Sequence, residues 1–317
     1  MTEKNRTTSP HNLESPQPAR SAWAKVLPYA AIAAAMAFAV CLGVRPLSSP
    51  DLGYHLAYGD DFLRTGRIVD CNEYVYTLPP ADTPPDKRPE PGPGCWYDED
   101  GKYRFANANW GTQVVVSLVN RAWGTTGLCV LGAALTAGIF TFCLLTMLRL
   151  GVPRVLAAGG IILIGLTAYE RFMLRPELFG YFLLTAQMCL LIGRRLGIVS
   201  SMVLILLQLI FVNMHSYFLL GLMLTGAFFA EAALRRAWPA IRGRQLGETD
   251  RRAMNIRLMI LGVVLAGQIA VSFVNPWTWR LVTLPFQTVL FVNHNQINGG
   301  LPPDLAAGQT LPPDVHP

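Results

Sequence analysis

Apolar runs at 26–44, 125–148, 155–169, 178–193, 198–212, 217–234 and 256–274 divide the chain, and short polar connectors separate all but the first two. The first run is long enough to cross the roughly 30 Å hydrocarbon core of a bilayer. It has no A-x-A-like cleavage site ahead of a soluble domain, so it reads as a retained helix and not as a signal peptide. The runs at 155–169 and 198–212 fall short of the ~20 residues that a spanning helix needs, and they must borrow flanking residues. The pattern predicts an all-α polytopic membrane protein of about seven transmembrane helices, with a long first loop, 45–113, that carries amphipathic helices.

Composition strengthens this picture. The chain is 52% hydrophobic and 15% charged, against roughly 25% charged for a soluble domain, and its mean hydropathy is +0.34. A net charge of +6 with a pI near 9.1 would suit a nucleic-acid binder. The basic residues, however, sit in the connectors RLGVPR, GRRLG and RRAWPAIRGRQLGETDRRAMNIR and not along one soluble face, so no nucleic-acid partner is expected. They obey the positive-inside rule if the N-terminus is cytoplasmic, which makes the long loop extracytoplasmic. On this reading 1–25 is a disordered cytoplasmic tail, 26–298 the membrane domain, and 299–317, where LPPD occurs twice, a disordered tail.

The long loop contains LPPADTPPDKRPEPGPG, part of a Pro-rich excursion, 79–94, that is expected to stay exposed and unpacked. Cys71 and Cys95 flank it on the oxidising side, and a disulfide between them would close it. Cys41, Cys129, Cys143 and Cys189 lie in apolar segments and read as small hydrophobes. No Cys/His spacing marks a metal site, so no cofactor is assigned; a divalent metal without a ligand motif stays open. The stretch 109–124, NWGTQVVVSLVNRAWG, interleaves polar and apolar residues like a helix lying on the membrane surface.

With this orientation the chemically unusual residues collect on the outer side. In SSPDLGYHLAYGDDFLRTG, Ser49 and Pro50 suit a helix start and Gly66 its stop. Asp51, Tyr54, His55 and Tyr58 then share one stripe of the helix, while Leu52, Leu56 and Leu63 line another. An acid in a first turn also complements the helix dipole, worth roughly 0.3–1 kcal/mol, but this explains the acid and not the stripe. Asp60 and Asp61 point about 100° apart on a helix and read as a solvated face. Glu170, Arg171, Arg175 and Glu177 crowd one short outer turn; snorkelling accounts for one arginine there, and a guanidinium fork suits a phosphate. Asn213, His215 and Ser216 interrupt an apolar hairpin, where a turn needs polarity but not a histidine. Trp277, Trp279 and Arg280 read as an interfacial anchor after Pro276. No phosphate-binding glycine loop, nucleophile elbow or zinc motif is present, which argues against a nucleotide-driven pump.

In their order these features resemble the GT-C superfamily of membrane glycosyltransferases, in particular bacterial relatives of the dolichyl-phosphate-mannose protein mannosyltransferases and the aminoarabinose transferases. The family has a first outer helix of the form D-x-x-x-H/Y…G, matched by Asp51, His55 and Gly66; Trp110, Arg175-Pro176, Asn213-Met214-His215 and Asn275-Pro276 are similar to later motifs. The resemblance implies inverting transfer from a polyprenyl-phosphate-linked sugar donor to a glycan, lipid or protein acceptor, on the outer face of a bacterial inner membrane. Asp51 would be the general base, and His55, Tyr54, Tyr58, Arg171, Arg175, Glu177, Asn213 and His215 would contact donor or acceptor, with membrane lipids around them. The Pro-rich insertion and the ending LPPDVHP depart from the family, whose members continue with further helices, so a truncated chain is expected. Two rivals share the same features: a transporter or flippase of a lipid-linked substrate, and a non-catalytic membrane protein.

Overall fold

The computed structural model describes residues 22–71, 83–193, 196–242 and 247–297. Among them the chain forms nine α-helices: α1 (Ala22–Gly43), α2 (Leu52–Thr65), α3 (Trp110–Arg149), α4 (Arg154–Thr167), α5 (Pro176–Leu191), α6 (Ile198–Met214), α7 (Phe218–Ile241), α8 (Glu248–Ser272) and α9 (Trp279–Ile297). Each apolar run has become a helix. Yet only α1, α3, α7 and α8 are long and apolar enough to cross a membrane, where the sequence suggested about seven. The reason is length: α4, α5 and α6 have 14, 16 and 17 residues, and at 1.5 Å per residue a 14-residue helix reaches only ~21 Å.

Two further expectations concern boundaries. The helix foreseen at 109–124 is present as the first part of α3, and a non-helical break at Gly124 (φ 60°, ψ −155°) separates it from the long apolar part that follows. Residues 22–25 are helical, so the first helix starts inside the expected tail; the rest of that tail and residues 299–317 lie outside the described residues.

The bundle has its polarity turned inside out relative to a water-soluble one. Leu163, Met202, Val263 and Leu290 are exposed, whereas Gln187, Gln208 and Gln268 are fully buried. Those three glutamines join α5, α6 and α8: Gln208 Nε2 donates to the Phe218 carbonyl at 3.0 Å and to Ser272 Oγ at 3.2 Å, and Gln268 Nε2 donates to Gln187 Oε1 at 3.3 Å. Polar groups placed this way give one another partners where lipid offers none, although Gln268 Oε1 is left without one among the described residues. The architecture is that of an all-α membrane protein.

At one end of the bundle the loops interlock. Arg45 Nη1 donates to the Tyr169 carbonyl at 2.7 Å and stacks on the Tyr169 ring. Trp110 Nε1 donates to Asn213 Oδ1 at 3.0 Å, and Asn213 Nδ2 donates to the Val274 carbonyl at 3.0 Å. This end therefore gathers the residues following α1, α4, α6 and α8. The opposite end is basic, with Arg235 paired to Glu231 and Arg236 bonded to Asn255.

Within 45–113 the described residues include, besides α2, a hairpin of β1 (Cys95–Tyr97) and β2 (Tyr103–Phe105), with Cys95 opposite Phe105 and Trp96 opposite Arg104. Of the Pro-rich segment, 79–82 lie outside the described residues, and 83–94 is tethered: Arg88 Nε donates to the Thr83 carbonyl at 3.0 Å and its guanidinium lies over Tyr97. Cys71 pairs with Arg104 across the other edge of β2. Cys71 and Cys95 thus lie on opposite sides of β2, two strand spacings or ~10 Å apart, beyond the ~7 Å limit between Cα atoms for a disulfide. Both are free thiols, and the expected bridge is absent.

Candidate functional site

α2 begins at Leu52 with Asp51 as its N-cap residue and stops at Gly66, whose left-handed φ of 71° lets its N–H reach the Phe62 carbonyl. Asp51 makes no side-chain capping hydrogen bond, so its carboxylate is not consumed by the helix it starts. Ser49, foreseen as the cap, instead accepts a hydrogen bond from Arg175 Nε at 3.2 Å. α2 can lie close along α3 because position 59 is glycine: a Cβ there would fall on the Gln113 carbonyl and Ser117 Oγ. Ser117 Oγ donates to the Leu56 carbonyl at 2.8 Å and fixes the contact.

This packing brings three remote segments together around a small polar chamber of about 170 Å³. Asp51, Tyr54 and His55 come from α2, Arg175 and Glu177 from the start of α5, and His215 from the residue that ends α6. Asn109, immediately before α3, completes the wall. Arg175 has extended backbone ahead of Pro176, the first residue of α5, and its Nη1 and Nη2 make no hydrogen bond to the described residues. Glu177 accepts from the Tyr181 hydroxyl at 3.4 Å and lies 3.9 Å from Arg171. The chamber thus holds two acids and one arginine, and among the described residues the Asp51 carboxylate and the terminal nitrogens of Arg175 have no hydrogen-bond partner while Glu177 is engaged by Tyr181 and Arg171.

The two histidines are not cations. Asn107 Nδ2 donates to the Val69 carbonyl at 2.9 Å, which fixes its amide; Gln113 Nε2 then donates to Asn107 Oδ1 and lies 3.3 Å from His55 Nδ1. His55 Nδ1 is therefore an acceptor and the ring carries its proton on Nε2. The Tyr217 N–H donates to His215 Nδ1 at 3.1 Å and sets the same tautomer there. Burial pushes the His55 pKa down to about 4 against the opposing pull of Asp51. Burial, then the neighbouring His55, pushes His215 down to about 4 as well. Burial, with Asp51 and Tyr58 adding to it, pushes the Tyr54 phenol up to about 12. At neutral pH these three groups are neutral hydrogen-bonding partners.

Six of the residues singled out in the sequence, Asp51, Tyr54, His55, Arg175, Glu177 and His215, line this chamber. Tyr58 faces an adjoining one instead. Arg171 stays outside, 64% exposed on its side chain, and reaches the site only through Glu177. Asn213 is spent on the scaffold, since both its amide nitrogen and its oxygen are engaged by Leu209, Val274 and Trp110. Asn109 was missed, although its position before the tryptophan that opens α3 was visible. Among the described residues no group of three His, Cys, Asp or Glu side chains is placed to hold a metal ion. No protein-family model, curated protein or solved structure matches the chain.

Proposed function

We propose that the chain is an inverting glycosyltransferase that uses a polyprenyl-phosphate-linked sugar donor on the extracytoplasmic face of a bacterial inner membrane. The observation that carries this reading is the convergence of Asp51 and Arg175 on one chamber from opposite ends of a long stretch of sequence, with the terminal nitrogens of Arg175 free of internal partners among the described residues. The basic end of the bundle is cytoplasmic by the positive-inside rule, which places the chamber outside.

Chemically, the acceptor O–H or N–H loses its proton to the Asp51 carboxylate while its lone pair forms a bond to the anomeric carbon. On the opposite face of that carbon the bond to the phosphate oxygen breaks, and the electron pair leaves with polyprenyl phosphate, giving inversion. The phosphodiester of the donor carries about one negative charge and the departing phosphate monoester close to two. Arg175 therefore binds the transition state more strongly than the donor, which is the condition for a contribution to rate. His55 and His215 stay neutral and serve as hydrogen-bonding partners of sugar hydroxyls.

The test is Asp51→Asn in membrane vesicles supplied with polyprenyl-phosphate sugars. The variant should insert normally and transfer no sugar; full transfer by it would overturn the assignment.

A further inference from the structure

Beside the polar chamber lies a larger one of about 490 Å³, and Tyr54 and Asn109 line both. Its walls come from α2, from the hairpin and from the residues that lead into α3. The hairpin is held over it from the far side: Arg280 of α9 stacks on Trp96 at 4.0 Å, and the Gly94 N–H donates to Gln287 Oε1 at 2.9 Å.

The lining is unusual for a cavity next to two acids and an arginine. Among the described residues that line it there is no Asp, Glu, Lys or Arg. Its aromatic surface is Tyr54, Tyr58, Tyr103 and Phe105, with Tyr58 and Phe105 stacked at 6.3 Å between ring centroids. Burial, with a hydrogen bond to Cys95 adding to it, pushes the Tyr103 phenol up to about 12, so this ring too is neutral. A charged ligand would lose its hydration here with no counter-charge to replace it, which is a heavy cost. A purely apolar ligand would leave polar groups unmet. The Asn109 side-chain oxygen is buried without a hydrogen-bond partner among the described residues, and the Ser216 hydroxyl makes no hydrogen bond to them either. Asn107 and Gln113 are already bonded to each other and are not free to act.

Resting on the glycosyltransferase reading, we infer that this chamber is the acceptor site and takes an uncharged saccharide, held by its C–H faces on the aromatic rings and by hydrogen bonds to the Asn109 and Ser216 side chains that line it. The juxtaposition supplies the path: Asn109 and Tyr54 stand on the boundary, so a saccharide seated here presents one hydroxyl toward the chamber of Asp51. The described residues of the wall carry no charge, and this selects against uronic acids and phosphosugars.

The experiment is saccharide binding to the full chain in lipid nanodiscs, read by saturation-transfer NMR with a panel of neutral oligosaccharides and their uronic-acid counterparts. A neutral member should bind at least about tenfold more tightly than its charged counterpart, the factor set by one unmet charge at its weakest. Phe105→Leu, which stays apolar but removes the ring, and Asn109→Leu should each weaken that binding, whereas Gly53→Ala, at an open position of α2, should leave it intact. Equal binding of charged and neutral members, or undiminished binding in both Phe105→Leu and Asn109→Leu, overturns the acceptor site. Signals from a lipid acyl chain or a peptide in place of any saccharide overturn it as well. The two readings fail separately: intact saccharide binding with no sugar transfer removes the proposed activity, while transfer with an unchanged acceptor KM in both chamber variants removes only this site.

Discussion

The chemistry of the site rests on a few side chains whose partners decide their state. Among the described residues Arg175 is the only arginine or lysine lining the polar chamber, so Arg175→Ala should lower kcat/KM for the donor by about 10²–10³, as for other lost charge-stabilising groups. Arg175→Lys should fall between, because it keeps the charge and loses the forked geometry. The buried histidines give a pH signature. Each has a folded pKa of about 4, below the ordinary histidine value of 6.5, so the unfolded chain binds more protons between those limits. Their contribution to stability is full above about pH 6.5 and is lost as pH falls toward about 4. The melting temperature in detergent should drop across that window, and a His55→Gln, His215→Gln double variant should flatten the drop; an unchanged slope would contradict the burial of these rings. At this scale the sequence was legible where a pattern repeated. The stripe on α2 and the crowded turn at 170–177 pointed to Asp51, His55 and Arg175. It was misleading at Asn213, whose partner Trp110 is 103 residues away, and silent at Asn109, because a single asparagine before a helix looks like any cap.

Helices with clear punctuation came through best. α2 stops at Gly66 as its sequence indicates, and its close approach to α3 turns on Gly59. Gly59→Val should therefore cost roughly 1–3 kcal/mol through overpacking and lower the melting temperature by several degrees. Gly53→Ala is the control, since nothing lies within 4 Å of a Cβ there; equal effects from both would mean that α2 is not wedged against α3. α9 escaped notice because Pro285 and a mixed polar face break its apolar run, although its N-terminal Arg280 helps hold the hairpin over the larger chamber. The hairpin itself has strands of only three residues each, too short for any alternation to register. The disulfide expectation failed for a related reason: chain position brackets the excursion with Cys71 and Cys95, but β2 lies between them.

For the whole molecule, the separation of a basic end from an end rich in acids, amides and histidines is what gives the bundle a direction. A membrane-impermeant maleimide applied from outside should label Cys71 and Cys95 without prior reduction, and Cys→Ser variants at each should remove their share of the label. Labelling only from inside would invert the topology, and labelling only after reduction would restore the bridge. Span number was the least legible quantity at this scale, because hydropathy reports apolar length while α4, α5 and α6 end before a full crossing. The most direct test of the glycosyltransferase claim follows the donor itself. In proteoliposomes given a labelled polyprenyl-phosphate sugar and acceptor, each sugar transferred should release one polyprenyl phosphate, and Asp51→Asn should abolish both. Movement of intact donor across the membrane without release, unaffected by Asp51→Asn, would contradict the account.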